Sequence, residues 1–246
     1  MWLFFVALRV TAQVTESPQT VAPGKFLIEM DGLTLGFDRK SGDGNVYTAV
    51  GVASTLLTAG LTRSIDLQVG VDLFLRETYE IGGARKSESG VGDLAFRTKW
   101  TFWRNDGIGA AVAVIPYLKV PTTKDGLGRD AMEGGLILPW AMDVGAGLKA
   151  GAMFRWDVVR NDADNGYDSQ WRASGFVQRN FTSAIGLYGE ATADAASTGL
   201  SNWAAHVGAG VLWKITKSVE IDYEITRGLN RRATDWVHVW RVNWEW

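Results

Sequence analysis

Three acidic side chains, Glu220, Asp222 and Glu224, recur at every second position of one short stretch. Carboxylates so placed can share protons, pair with guanidinium groups or line a path for charged solutes. Two histidines, His206 and His238, are the only side chains whose ordinary pKa lies near neutrality. Hydrolysis at a membrane surface would need one of them beside a serine. His238 shares its parity with Trp240 and Val242, and no serine lies in its stretch. His206 falls among carboxylates and reads as a buffered polar group. The basic set comprises Arg97, Lys99, Lys119, Lys149, Arg155, Arg172 and Arg241, and Glu190 joins it as a further carboxylate. Gly208-Ala209-Gly210 lacks the strand-to-helix setting of a phosphate loop. With no cysteine and two histidines, thiolate sites and His-rich metal sites are excluded. No catalytic residue, no cofactor and no metal site is expected, and the chain is not expected to be an enzyme.

The elements that carry these charges are plainest at the carboxy-terminus. Trp236, His238, Trp240, Val242, Trp244 and Trp246 fall on one parity, and Asp235, Arg241, Asn243 and Glu245 on the other. A strand sends alternate side chains to opposite faces, so this segment has one aromatic face and one mostly charged face. A strand with lipid on one side and a wet lumen on the other has that pattern.

Twelve such strands fit the chain: 25–38, 46–58, 65–79, 91–104, 108–121, 132–142, 147–159, 169–181, 184–195, 202–215, 219–228 and 235–246. Ile65, Leu67, Val69, Val71, Leu73 and Leu75 oppose Asp66, Gln68, Asp72 and Arg76. Connections alternate between short turns, such as 182–183, and longer polar loops, such as 80–90 and 160–168. Short turns on one rim and long loops on the other are the asymmetry of outer-membrane barrels. Trp100, Trp140, Trp213, Trp244 and Trp246 sit at the short-turn ends, and Trp156, Trp171, Trp203 and Trp236 at the long-loop ends. Two aromatic belts one strand apart mark two membrane–water interfaces. The expectation is an all-β, antiparallel transmembrane barrel of about 12 strands.

Composition agrees. Hydrophobic content is 46%, yet no apolar run of about 18 residues follows the amino-terminus, which argues against a helical span. A net charge of −2 gives no case for nucleic acid. Residues 1–12 resemble a truncated export signal, with Val10-Thr11-Ala12 as a small-residue cleavage site. Residues 13–24 read as a polar leader, and 25–246 as the barrel.

Several motifs then fall in order: Thr20-Val21-Ala22-Pro23-Gly24-Lys25-Phe26, Ser89-Gly90-Val91-Gly92-Asp93-Leu94, Ile115 to Thr122, and Glu133-Gly134-Gly135-Leu136. Their order and spacing over about residues 18–246 resemble the outer-membrane transporter family named after the meta-pathway of phenol degradation. The resemblance implies a barrel in the outer membrane of a Gram-negative bacterium and a link to aromatic-compound uptake. The implied partners are the lipid bilayer, the outer-membrane assembly machinery through the last strand, and a small solute of unknown identity.

The inward parity carries Arg97, Lys99, Lys119, Lys149, Arg155, Arg172, Glu190, His206, Glu220, Asp222, Glu224 and Arg241, with Asp66, Asp72, Arg76, Asp93, Asp157 and Asp194. Charge inside a barrel is costly unless paired or hydrated. Two readings follow. The charges line a passive, porin-like passage for small aromatic or hydrophobic solutes, or they fill a plugged barrel with a structural or adhesive role. An outer-membrane enzyme ranks third. Pro116, Pro121 and Pro139 suggest bulges, and the 122–131 loop is a candidate constriction.

Overall fold

The computed structural model describes residues 14–39, 46–123, 127, 130–161, 166–196 and 199–246, the side chains of 199–202 excepted. The expected signal segment therefore lies outside the described residues. Its strands are β1 (Phe26–Asp38), β2 (Val46–Gly60), β3 (Ile65–Ile81), β4 (Ala84–Gly90), β5 (Leu94–Asn105), β6 (Ala110–Val120), β7 (Glu133–Gly145), β8 (Leu148–Arg160), β9 (Tyr167–Asn180), β10 (Ile185–Ala196), β11 (Gly199–Lys214), β12 (Val219–Gly228) and β13 (Trp236–Glu245). Apart from β4 and β5, each pairs antiparallel with its sequence neighbours, and β1 pairs with β13 to close the sheet. β4 and β5 both pair with β3, at Ile81↔Ala84 to Leu75↔Gly90 and at Gly70↔Ala95 to Ile65↔Trp100. They form one stave interrupted at 91–93, where the Gly92 amide donates to the Asp72 carbonyl at 2.7 Å. The barrel thus has 12 staves, and closure removes its sheet edges.

Alternation sets the two faces. Trp100, Trp156, Trp171, Trp203, Trp213, Trp236, Trp244 and Trp246 are exposed on the outer wall, and Trp140 shares that wall half-buried. Trp156 and Trp171 are register partners with stacked rings 6.1 Å apart. At the short-turn rim the Phe26 ring stacks on Trp246 at 5.6 Å, beside the closing hydrogen bonds between their backbones.

In β1, β2 and β3 the alternation slips in a single row. Asp31, Ser54 and Asp72 are level with one another, as are Leu33, Val52 and Phe74. Gly32, Ala53 and Leu73 are left over between them, and Ala53 adopts φ 55°. An extra residue on each of three neighbouring strands keeps them in register but exchanges their faces above the row. Asp72 keeps the inner parity below it. Arg76, expected inside, instead donates to Ser87 on the exposed β3–β4 hairpin. Glu77 takes the inner parity with Tyr47 and Tyr79, whose hydroxyls both donate to its carboxylate at 3.1 and 2.7 Å.

Pro116 and Pro139 act differently from the bulges expected of them. Pairing of β5 with β6 jumps from Arg97↔Tyr117 to Trp100↔Val114, and β6 with β7 from Ile115↔Ile137 to Val112↔Trp140. Register is the same on both sides of each gap. A proline has no N–H to give, so the ladder opens locally without a shift. Pro121 falls just beyond β6.

Candidate functional site

Arg76 apart, the charged residues expected in the lumen share the inner face with further polar side chains, and the register groups them. Lys119 lies opposite Glu133 and pairs with it, with Asp93 3.6 Å away. Arg155 and Arg172 are register partners, a like-charge contact that two carboxylates relieve. Arg155 donates to Asp157 at 2.8 Å, and Arg172 to Asp194 at 2.5 Å. Tyr117 bridges Arg155 and Asp157 through its hydroxyl. Across the seam, Asp222, Arg241 and Asp31 stand level, and Arg241 donates to Asp31 at 2.7 Å. Tyr188 donates to Asp222 and Glu224 at 3.1 and 3.2 Å. His206 meets Thr192 at 3.4 Å, Glu220 accepts from Asn243 at 3.5 Å, and Lys149 is level with Gln178. Local pairing of opposite charges is what a confined lumen requires. His238 lies on the outer wall, where its Nδ1 is 3.0 Å from the Tyr223 hydroxyl.

Three inward rings lie flat on the wall. Tyr117, Phe176 and Tyr188 are register partners of Gly135, Gly151 and Gly210. A Cβ at Gly210 would collide with the Tyr188 ring, so the glycine makes room for it. Glycine–aromatic cross-strand pairs of this kind fix register and keep rings out of the lumen's centre.

The centre is occupied by the chain itself. The segment read as a leader before the first strand runs inside the barrel as a strap. It leaves the short-turn rim at Lys25, where the Val21 amide donates to Asp66 at 3.2 Å. It then climbs β5: Thr101 donates to the Pro18 carbonyl at 2.6 Å, and Lys99 to the Gln19 carbonyl at 3.1 Å. Glu16 pairs with Arg97 at 2.7 Å. The strap next crosses to the far wall. The Thr15 hydroxyl meets Ser174 at 2.6 Å, and the amides of Thr15 and Val14 donate to the Glu190 carboxylate at 2.6 and 2.7 Å. Val14 packs against Ile115, Tyr117, Ile137 and Met153, a buried apolar cluster on the inner face of β6, β7 and β8. No sheet ladder holds the strap; side chains of the wall do.

Sequence reasoning missed Glu16, Asp31, Tyr117, Ser174, Tyr188 and this apolar cluster. Ile115, Ile137 and Met153 carried a legible signal, since they share the parity of Lys119, Glu133 and Arg155. The strap's grips join residues up to 176 apart and left no periodic trace. Half of the loop proposed as a constriction, 124–126 and 128–129, lies outside the described residues; its Thr122 and Thr123 amides donate to Asp93 at 3.0 and 3.1 Å.

Residues 11–246 match the family described as "Putative MetA-pathway of phenol degradation". No curated protein sequence matches the chain. Among solved structures, an outer membrane channel from Pseudomonas putida F1 is similar with a TM-score of 0.70 at 11% identity, covering 96% of this chain and 100% of that one. The translocator domain of the autotransporter NalP from Neisseria meningitidis gives 0.56 at 12% identity, over 92% and 89% of the two chains. The NanC porin gives 0.52 at 13% identity, over 86% and 97%. The chain has the outer-membrane barrel fold that its alternation and aromatic belts led one to expect.

Proposed function

This chain belongs to the phenol-degradation MetA-pathway family, and from that premise we propose that it is a passive channel for small aromatic or hydrophobic solutes in the outer membrane of a Gram-negative bacterium. The observation that carries the reading is the strap. What blocks the lumen is a short segment held by the Glu16–Arg97 ion pair, the packing of Val14 and a set of hydrogen bonds, each worth about 0.5–1.5 kcal/mol net. Such a closure is reversible, whereas a barrel filled by its own wall side chains would be permanently shut. Ion pairs along the wall offset part of its charge and leave a polar surface along which a small solute can pass. Catalysis forms no part of this role. The last strand serves as the signal to the outer-membrane assembly machinery, and residues 1–12 as an export signal. A plugged structural barrel remains the second reading, favoured by the strap's docking in the described state.

Planar-bilayer conductance separates them. The native protein should conduct weakly, and Glu16→Gln combined with Glu190→Gln should raise its open probability several-fold. If both proteins are equally silent, the barrel is plugged and the structural reading takes over.

A further inference from the structure

Arg97 and the apolar cluster are neighbours. Arg97 and Tyr117 are register partners on the inner face, so the guanidinium stands beside the ring that begins the cluster. In the described state one strap segment satisfies both. Glu16 brings a carboxylate to Arg97, and Val14, two residues away, fills the niche of Ile115, Ile137 and Met153. The Arg97 Nε has no hydrogen-bond partner and is buried, so the guanidinium has a donor still to give. Lys99, one inward position along β5, adds a second positive charge at the same height as the strap.

We infer that the strap stands in for the solute: its Glu16 carboxylate and Val14 side chain occupy the two halves of a site for a small organic acid, an aryl or alkyl carboxylate with one apolar body. This rests on the channel reading above and names its solute class. When the strap withdraws, Arg97 loses its carboxylate and the niche loses its side chain together. Each vacancy alone is unfavourable, a buried guanidinium without a counter-charge and apolar wall facing water. A molecule carrying both groups at a few ångströms' separation restores both contacts at once. Acetate supplies only the charge, and a neutral hydrocarbon only the body. Bidentate geometry at a guanidinium favours a carboxylate over other small anions of one charge centre.

The test uses the full chain carrying Val14→Cys, folded in detergent and verified by heat-modifiable migration. The native sequence has no cysteine, so labelling by a water-soluble thiosulfonate reports strap withdrawal alone. Adding 2-naphthoate should raise the labelling rate by roughly tenfold at saturation, since a ligand that captures the vacated site shifts the docked–undocked balance. Naphthalene-2-carboxamide and acetate should leave it within about twofold. Adding Arg97→Gln should abolish the naphthoate response, and Arg97→Lys should keep part of it. Equal responses to the carboxamide, no response to naphthoate, or a response that survives Arg97→Gln would each overturn the assignment. Labelling needs no flux. A barrel that shows this competition and passes no solute keeps the assignment and loses the channel; one that passes solute without competition loses the assignment alone.

Discussion

Arg241 and Asp31 meet across the seam between the last strand and the first, with side chains 9% and 3% exposed. A buried ion pair contributes little over an apolar replacement, but removing one partner strands the other. Arg241→Leu should therefore lower barrel stability by about 3–5 kcal/mol, read as an earlier loss of heat-modifiable migration. Adding Asp31→Asn should recover most of that loss; a double variant as unstable as the single one would show that the pair is not the cause. Arg241 was legible as an inward residue from the alternation of its own strand. Its partner was not. The two are 210 residues apart, and the extra residue at Gly32 breaks the period that would have assigned Asp31 and Leu33 to their faces.

The strands themselves were largely legible, because a lipid-facing side and a watery side impose a period of two that the hydrophobic effect enforces at every stave. What alternation cannot carry is a slip shared by neighbours. Gly32, Ala53 and Leu73 add one residue each to β1, β2 and β3 at one height, so the pairing looks regular while the faces exchange. Unbroken alternation from Asp31 puts Leu33 in the lumen; the slip puts it on the outer wall beside Trp240. A cysteine at Leu33 should react at least about ten times faster with a lipid-soluble maleimide than with a charged thiosulfonate, as expected for a side chain facing hydrocarbon. The opposite preference would mean that β1 runs without a slip. Pro116 and Pro139 show the complementary case. Their positions were visible, but whether a missing donor shifts the register or only opens the ladder is decided by the strands on either side.

At the scale of the whole molecule, residues 244–246 hold the first strand and the outer belt at once. Deleting 244–246 removes the Phe26–Trp246 backbone pair, the stacking of their rings, and the Trp244–Trp246 contact at 4.8 Å. That variant should yield no heat-modifiable barrel after refolding; normal migration would show that the seam closes without it. The strap, once the barrel is closed, has a consequence of another kind. It is a ligand on a leash, anchored where the Gly24 and Gly60 amides lock the rim and gripped again at Glu16. A leash this short keeps its end at about a millimolar effective concentration, however dilute the protein. In the proposed channel a solute would have to outbid that figure to enter, so the concentration at which it opens would be set by the leash as much as by the site. A Gly-Ser insert between Ser17 and Pro18 should lower the naphthoate concentration needed for half-maximal Val14→Cys labelling, with the effective concentration falling roughly as the −3/2 power of leash length. An unchanged midpoint over inserts of increasing length would mean that the strap is held by its rim contacts and the leash has no say in when the lumen opens.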